Sequence, residues 1–337
     1  MNRIWLVAGA VFSLMLAQSA AASTSKPEDR TLLDELKDYP YKIIHESYRD
    51  NHWVLVVRNA DGSNPVVLTK PGADENYPHV SPDGKKITFE REEGEGKTKR
   101  RNIYVMNLDG SGRKLISESA RDACWSADGK TVVFLKDELD DLEYRDFATK
   151  GMFFYDVASG KTRQHVNTKL EHLYNVCCMP DPDWLVSTVH AGMGYGHAIL
   201  AIEAHGQRVY NLNIPGCRPD ISPDGKKIAW GGDDTVLCVA DLEFADGKPK
   251  VANVRPVVTS TNPIHIYHID WSPDSRYVAF SRGPTKKAPL GKAPEVVGIK
   301  AEGWNICVAD AAKTNRWVAI TSDGLSNKEP DWFPVAK

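Results

Sequence analysis

The sequence lacks the motifs that define several large protein classes. Its six cysteines include no C-x-x-C and no C-x-x-C-H spacing, which excludes a c-type haem and the usual paired zinc ligands. Its formal net charge of -3 over 337 residues is nearly balanced, unlike that of a general nucleic-acid or membrane-surface binder. Beyond residue 22, no apolar run approaches the roughly 20 residues that a membrane helix needs. We therefore expect a mature protein without a membrane span and without nucleic acid as a partner.

The N-terminal residues are typical of a cleaved secretory signal. Arg3 precedes an apolar run, and the small residues Ala20 and Ala22 form a cleavage site. This pattern predicts a periplasmic or secreted protein. We divide the chain into a signal peptide, an N-terminal extension and a single domain, at residues 1–22, 23–40 and 41–337.

One polar turn is repeated along the chain. "SPDGKK" occurs at residues 81–86 and 222–227, and "SADGKT" occurs at 126–131. Alternating apolar residues on both sides of each copy predict β-strands. Extending the copies gives a unit of four strands, which is aligned on a turn serine or its equivalent at Ser81, Ser126, Met179, Ser222 and Ser272. A period of about 40 to 60 residues with four strands per unit is the signature of a β-propeller.

A sixth unit is divided between the two ends of the chain. "EPDWFP" near the C-terminus matches "HIDWSP" at residues 268–273, but the chain ends before a second strand. The strands "YKIIHES" and "HWVLVVRN" near the N-terminus have no first strand of their own. We therefore predict an all-β fold, a six-bladed β-propeller of four-stranded blades, closed by the C-terminal strand pairing with the N-terminal strands. The repeated turn is scaffold, because Asp-Gly tolerates the positive φ of a tight hairpin.

The repeats resemble a known family. The stretch "YPHVSPDGKKITFEREEGEGKTKRRNIYVMNLDGSGRKLIS" is similar to the repeats of TolB-type β-propeller proteins, and the resemblance extends from about Tyr41 to Pro334. Such propellers serve as binding platforms, as lids on peptidases and as lyases, so the resemblance implies a fold and not one activity. The chain has no G-x-S-x-G motif of a peptidase domain, and residues 23–40 are too short for the α/β domain that precedes the propeller in TolB.

Length variation predicts which face of the propeller recognises a ligand. We label the strands of each blade a to d from the channel outward. The a-b turns are short and repeated, whereas the b-c loops are long and variable, at residues 91–101, 136–150, 190–197 and 282–303. Variable loops on one rigid face are the usual place for recognition. Within them "HAGMGYGH" has three glycines between two histidines and contains three candidate loop ligands, His190, Tyr195 and His197. A flexible hairpin with incidental histidines is the alternative.

Strand a predicts two polar rings around the central channel. Residues two and four positions before the turn serine are mostly polar, whereas those one and three positions before it are mostly apolar. The residues two positions before the serine form what we call the minus-two ring, which consists of His79, Cys124, Cys177, Asp220, Asp270 and Asp331. The minus-four ring consists of Tyr77, Asp122, Asn175, Arg218, His268 and Glu329. All of these except the two cysteines are candidate channel ligands, and a water-filled polar channel is the alternative.

The carboxylates of the rings would repel one another unless a cation, Arg218 or raised pKa values offset their charge. A divalent cation such as Ca²⁺ is the one cofactor that this pattern suggests. Its candidate ligands are His79, Asp220, Asp270 and Asp331. The disulfide pairing is open among Cys124, Cys177, Cys178 and Cys217. Cys124 and Cys177 form one candidate pair, because they lie on neighbouring inner strands.

No motif supplies an acid, a base and a nucleophile together, so the sequence assigns no catalytic residues and favours a binding module over an enzyme. The expected protein is an exported monomer that binds an envelope protein or a glycan through its b-c loops and channel. The alternative is a lyase or hydrolase that uses the histidines and aspartates of the channel, with or without a metal.

Overall fold

The structure is a computed structural model that describes residues 29–70, 72–139, 144–245, 247–285 and 293–335. These residues form six four-stranded antiparallel sheets, a short 3-10 helix and one α-helix, α1, at Asp29–Lys37. The predicted signal peptide lies outside the described residues. Within the part of the chain that the structure describes, no helix is long and apolar enough to cross a membrane.

Each sheet is one blade of the predicted propeller. Before the first complete blade come β1 (Tyr41–Arg49), β2 (His52–Asn59) and β3 (Val66–Val67). Blade 1 contains β4 (Glu75–Val80), β5 (Lys86–Glu93), β6 (Arg100–Asn107) and β7 (Lys114–Ser117). Blade 2 contains β8 (Ala120–Trp125), β9 (Thr131–Asp137), β10 (Thr149–Asp156) and β11 (Thr162–Gln164). Blade 3 contains β12 (Leu173–Cys178), β13 (Trp184–Gly192), β14 (Tyr195–Glu203) and β15 (Val209–Asn211).

The remaining strands complete the ring. Blade 4 contains β16 (Cys217–Ile221), β17 (Lys227–Asp233), β18 (Val236–Ala245) and β19 (Lys248–Thr259). Blade 5 contains β20 (Ile264–Trp271), β21 (Tyr277–Pro284), β22 (Asn305–Asp310) and β23 (Trp317–Ala319). The last strand is β24 (Ser326–Pro334), and blade 6 has the order β24-β1-β2-β3.

Blade 6 confirms the predicted closure. β24 is its strand a and pairs antiparallel with β1, so that Trp332 lies opposite Ile43 and Asp331 opposite Ile44. Trp332 and Phe333 are buried in the core that this strand shares with its neighbours. The first and last described strands are thus held together in one sheet, which closes the ring of blades.

The repeated turn has a physical explanation in its hydrogen bonds. In the first copy the Ser81 hydroxyl donates to Asp83 (2.7 Å) and accepts from the Lys86 amide (2.9 Å). Gly84 has a φ of +71°, and a Cβ at that position would lie 2.4 Å from the carbonyl oxygen of Pro334. The serine and aspartate therefore hold the turn through their side chains, and the glycine supplies the left-handed backbone.

The extension before the propeller is partly helical. α1 places Leu32 and Leu36 in the core of blades 5 and 6, where both are fully buried. Glu35 of the same helix pairs with Arg316 (2.7 Å). Because its apolar residues share the core with Trp332, α1 is part of the folded domain. The sequence analysis assigned no structure to this segment.

A β-bulge occurs in strand a of every blade. In blade 1, Asn76 pairs with Glu90 and His79 with Thr88, so two residues of β4 stand opposite one residue of β5. The six minus-four residues have φ values between 49° and 57°, in the left-handed region, although none of them is glycine. The alternation that the sequence analysis assumed for strand a is therefore interrupted at one place in each blade.

Candidate ligand-binding site

The minus-two ring lies at the channel mouth on the face of the a-b turns. His79, Asp220, Asp270 and Asp331 line a cavity of about 360 Å³ there, together with Cys124 and Cys177. The prolines and tryptophans of the turns complete its wall. The structure thus brings these six side chains together around one opening.

The carboxylates of this ring are used to join neighbouring blades. Asp331 accepts from the backbone amide of Val80 (2.9 Å) and contacts His79 Nδ1 (2.8 Å). Asp220 and Asp270 accept in the same way from the amides of Trp271 (2.8 Å) and Trp332 (2.6 Å). Each of these aspartates therefore accepts a hydrogen bond from a backbone amide in strand a of the next blade, which is a structural role.

Raised pKa values at Asp220 and Asp270 reduce the repulsion between the carboxyl groups of the ring. Burial, followed by the charges of Asp331 and Asp220, raises the pKa of Asp270 well above its usual range. Burial also raises the pKa of Asp220 to about 6. Among the described residues, no group of three or more His, Cys, Asp or Glu side chains is arranged to hold a metal ion. The divalent-cation site at His79, Asp220, Asp270 and Asp331 stays a prediction.

The minus-four ring lies deeper in the channel and its members contact one another across blades. Asn175 Nδ2 donates to the Tyr77 hydroxyl (2.9 Å). Glu329 Oε1 lies 2.9 Å from His268 Nε2 and 3.9 Å from Arg218 Nη1. The ring has one amide, that of Asn175, and charges of both signs. Five of its members are at most 6 % exposed: Tyr77, Asp122, Arg218, His268 and Glu329.

Above this ring, on the face of the b-c loops, lies a cavity of about 670 Å³. Its wall combines aromatic rings, two histidines and charged groups from the b-c loops of blades 2, 3, 4 and 5 and from strand a of blades 3, 4 and 5. The aromatic and histidine residues are Tyr144, Phe147, Tyr174, Tyr267, His190 and His197, and the charged ones are Arg145, Asp146, Arg218, Asp234 and Glu295. We call this space the b-c cavity. It is the place where the variable loops and the channel meet.

Arg218 forms the floor of the b-c cavity. Its guanidinium lies between the rings of Tyr174 and Tyr267, at 5.7 and 5.4 Å from their centroids. It pairs with Asp146, which descends from the blade 2 loop. Its Nη1 atom is buried without a hydrogen-bond partner among the described residues, as is Oδ2 of Asp122 below it. Buried polar atoms in this condition are expected to meet water or a ligand.

One wall of the cavity is a segment of the blade 5 loop that the scaffold holds by its carbonyl oxygens. His268 Nε2 donates to the carbonyl of Glu295 (2.7 Å), and Lys328 Nζ donates to that of Val296 (2.7 Å). Arg101 Nη2 donates to the carbonyl of Val297 (3.2 Å). These donors come from three different blades. The loop segment is therefore fixed across the channel rather than left to solvent.

The predicted histidine pair forms the opposite wall. "HAGMGYGH" is a hairpin in which His190 pairs with His197, and the two rings are 5.5 Å apart. The His197 ring contacts the Tyr174 hydroxyl (2.9 Å), and Phe147 packs on His190. Tyr195 instead packs against the core between blades 2 and 3. The structure thus brings two of the three predicted loop residues to the cavity.

Sequence reasoning missed the residues five positions before the turn serine. Tyr174, Cys217 and Tyr267 occupy this position and line the b-c cavity, and Lys328 occupies it in blade 6 and holds the loop wall. The bulge in strand a redirects these side chains, whereas strict alternation predicts that they face away from the channel. A lysine at a position that alternation assigns to the interior was the available signal.

Burial shifts the pKa values of Glu329 and His268, which lie beside Arg218 in the minus-four ring. Burial raises the pKa of Glu329 to about 7, although Arg218 and Lys328 oppose the shift. Burial, and then the charge of Arg218, holds the pKa of His268 well below its usual range. Near neutral pH, Glu329 therefore exchanges a proton readily while the adjacent His268 is neutral.

The raised pKa of Glu329 predicts a pH dependence of stability. Because its folded-state pKa is above the unfolded value, the neutral carboxyl stabilises the fold at low pH, and this contribution is lost as pH rises through about 7. The side chain of Glu329→Gln cannot ionise, so the variant lacks this loss. Its free energy of unfolding relative to wild type should therefore be about 1 kcal/mol higher at pH 8 than at pH 6. Urea unfolding at both pH values measures this difference. The exposed Glu243→Gln is the control, and equal pH dependence in all three proteins would refute the assignment.

The comparisons with known proteins support the fold. No protein-family model and no curated protein sequence matches the chain. Among solved structures it is similar to TolB from Acinetobacter baumannii, with 18 % identity and a TM-score of 0.60 over 88 % of this chain and 68 % of that one. A TolB-type structure from Agrobacterium tumefaciens gives 15 % identity and a TM-score of 0.56 over 88 % and 99 % of the two chains. Kuenenia stuttgartiensis hydrazine synthase gives 14 % identity and a TM-score of 0.58 over 93 % of this chain and 50 % of that one. The chain therefore has the TolB-like six-bladed β-propeller fold.

Proposed function

We propose that the protein is a binding module that takes its ligand in the b-c cavity. The observation that carries this proposal is the combination of an aromatic wall with a floor at Arg218, whose buried Nη1 atom has no hydrogen-bond partner among the described residues. A volume of about 670 Å³ is within the ordinary range of small-molecule sites. The a-b mouth is a weaker candidate, because its carboxylates already bind backbone amides.

The chemistry of the wall favours a short glycan. The C–H face of a sugar ring can pack on Phe147, Tyr174 or Tyr267, and its hydroxyl groups can donate to carboxylates such as Asp234 and Glu295. With the export that the N-terminus predicts, the partner would be an envelope glycan bound by a monomer. A segment of an envelope protein is the other partner class, and the test below separates the two.

The proposal is tested with a panel of bacterial envelope oligosaccharides and a panel of peptides from envelope proteins. Binding is measured by glycan array and confirmed by titration calorimetry. Phe147→Ala removes a partly buried ring from the cavity wall and should raise the dissociation constant about tenfold or more. The exposed Phe244→Ala, on the outer hairpin of blade 4, is the matched control and should bind like wild type.

The results divide clearly. Oligosaccharide binding that Phe147→Ala weakens and Phe244→Ala preserves supports the proposal. Binding of peptides without binding of oligosaccharides would show that the partner of this site is a protein and not a glycan. Equal binding by both variants, or no binding to either panel, refutes the b-c cavity as the site.

An enzyme is the second candidate, and one observation favours it. Glu329, with a pKa raised to about 7 by burial, lies 2.9 Å from the imidazole of His268. A carboxyl with such a pKa can act as a general acid or base in a lyase or hydrolase, while the Glu295 carbonyl holds the Nε2 proton of His268. An enzyme would convert the bound oligosaccharide, and Glu329→Gln would abolish product while leaving binding intact. A binding module yields no product with either protein.

A further inference from the structure

Two cysteines of neighbouring blades meet at the a-b mouth of the channel. Cys124 is the next-to-last residue of strand a in blade 2, and Cys178 is the last residue of strand a in blade 3. Their Sγ atoms are 2.9 Å apart. The bonded distance in a disulfide is about 2.05 Å, so a small rotation of the two side chains joins them.

The adjacent Cys177 is directed elsewhere. Its thiol donates to Oδ1 of Asp220 at 3.0 Å, toward blade 4. The thiol of Cys177 is thus engaged by Asp220, whereas that of Cys178 contacts Cys124. The pair Cys124 and Cys177, which the sequence left open, is therefore not the pair that the fold brings together.

The pair is accessible from two sides. Cys178 lines both the channel-mouth cavity and a cleft of about 520 Å³ between blades 2 and 3. Cys124 is 6 % exposed and lines the channel mouth. Burial, and then the contact with Cys178, raises the pKa of the Cys124 thiol well above its usual range. An oxidant from solvent therefore reaches Cys178 first.

We propose that Cys124 and Cys178 are a reversible thiol–disulfide site that covalently joins blades 2 and 3. The oxidant is a small disulfide such as oxidised glutathione. The Cys178 thiolate attacks it, forms a mixed disulfide and releases one glutathione thiolate. The Cys124 sulfur, losing its proton, then displaces the second glutathione. The two protein thiols lose two electrons and two protons in total, and one oxidised glutathione is reduced to two thiols.

The bond would stabilise the ring by restricting the unfolded chain. It closes a loop of about 50 residues between two blades, and such a closure is among those with large entropic effects. The melting temperature should rise by about 5 °C on oxidation and fall again with dithiothreitol. The bond would also hold the a-b mouth at a fixed width.

The test uses the full chain after treatment with oxidised glutathione, unfolding and alkylation. The oxidised protein should show two fewer alkylated thiols than the reduced protein. Proteolysis and fragmentation between residues 177 and 178 should place the link at Cys178. Cys177→Ser should keep the link and the melting shift, and Cys178→Ser should lose both.

The outcomes decide the proposal without depending on how the variants fold, because fragmentation of the wild-type protein locates the bond by itself. A Cys124–Cys178 link that dithiothreitol removes supports the proposal. An unchanged number of free thiols, a link at Cys177, or a stable glutathione adduct that Cys124 does not displace overturns it.

Discussion

Deletion of residues 329–337 should abolish the cooperative fold. The deletion removes most of β24, leaves β1 with an unpaired edge, and strips Trp332 and Phe333 from the core. Loss of each large aromatic side chain costs about 3–5 kcal/mol, and a whole domain is stable by only about 5–15 kcal/mol. Thermal unfolding followed by circular dichroism, with size-exclusion chromatography, should show aggregation and no sharp transition.

The matched control deletes residues 335–337 only, which follow the last paired residue, Pro334. This shorter protein should melt like the full chain. A sharp transition near that of the full chain after removal of residues 329–337 would contradict closure by β24.

Substitution of Lys328 should give the second largest effect. This lysine is fully buried, and its Nζ atom donates to the carbonyl of Val296 (2.7 Å) and lies 3.6 Å from Glu46 Oε1. Lys328→Ala leaves the Glu46 carboxyl without its cationic partner and the carbonyls of Pro294 and Val296 without that donor. Breaking a buried pair costs about 3–5 kcal/mol. Urea unfolding at pH 7 measures the loss.

Two controls separate charge from packing. Lys328→Met with Glu46→Gln removes both charges while keeping volume, and should recover part of the stability. Lys85→Ala removes an exposed lysine and should change stability by less than about 0.5 kcal/mol. If Lys328→Ala and Lys85→Ala have the same free energy of unfolding, the buried pair does not contribute to stability.

The repeats made the fold predictable. The polar turn recurs with its serine, aspartate and glycine because each has a separate task in one hairpin, as in Ser81, Asp83 and Gly84. The match of "EPDWFP" to "HIDWSP" located the closing strand, since the same core position needs Trp332 and Trp271. Period-two patterning then placed the minus-two ring, because no bulge separates it from the turn.

The site was less predictable, for physical reasons that a single strand pattern does not contain. The bulge at the minus-four position uses positive φ at non-glycine residues, so no glycine indicates it. It alters which side chains face the channel and hid the roles of Tyr174 and Tyr267. Contacts across large sequence separations, such as that of Cys124 with Cys178, depend on how adjacent blades pack. The helix α1 packs through Leu32 and Leu36 on the core of blades 5 and 6, a contact that the local sequence does not indicate.

Hydrogen–deuterium exchange with the oligosaccharide that binds tightest in the panel tests the b-c cavity most directly. We expect slower exchange at residues 144–147 and 293–297, which form its walls, and unchanged exchange at the turns 81–86 and 222–227 on the opposite face. Protection at those turns with none at the b-c loops would contradict the assignment and would place the ligand at the a-b mouth.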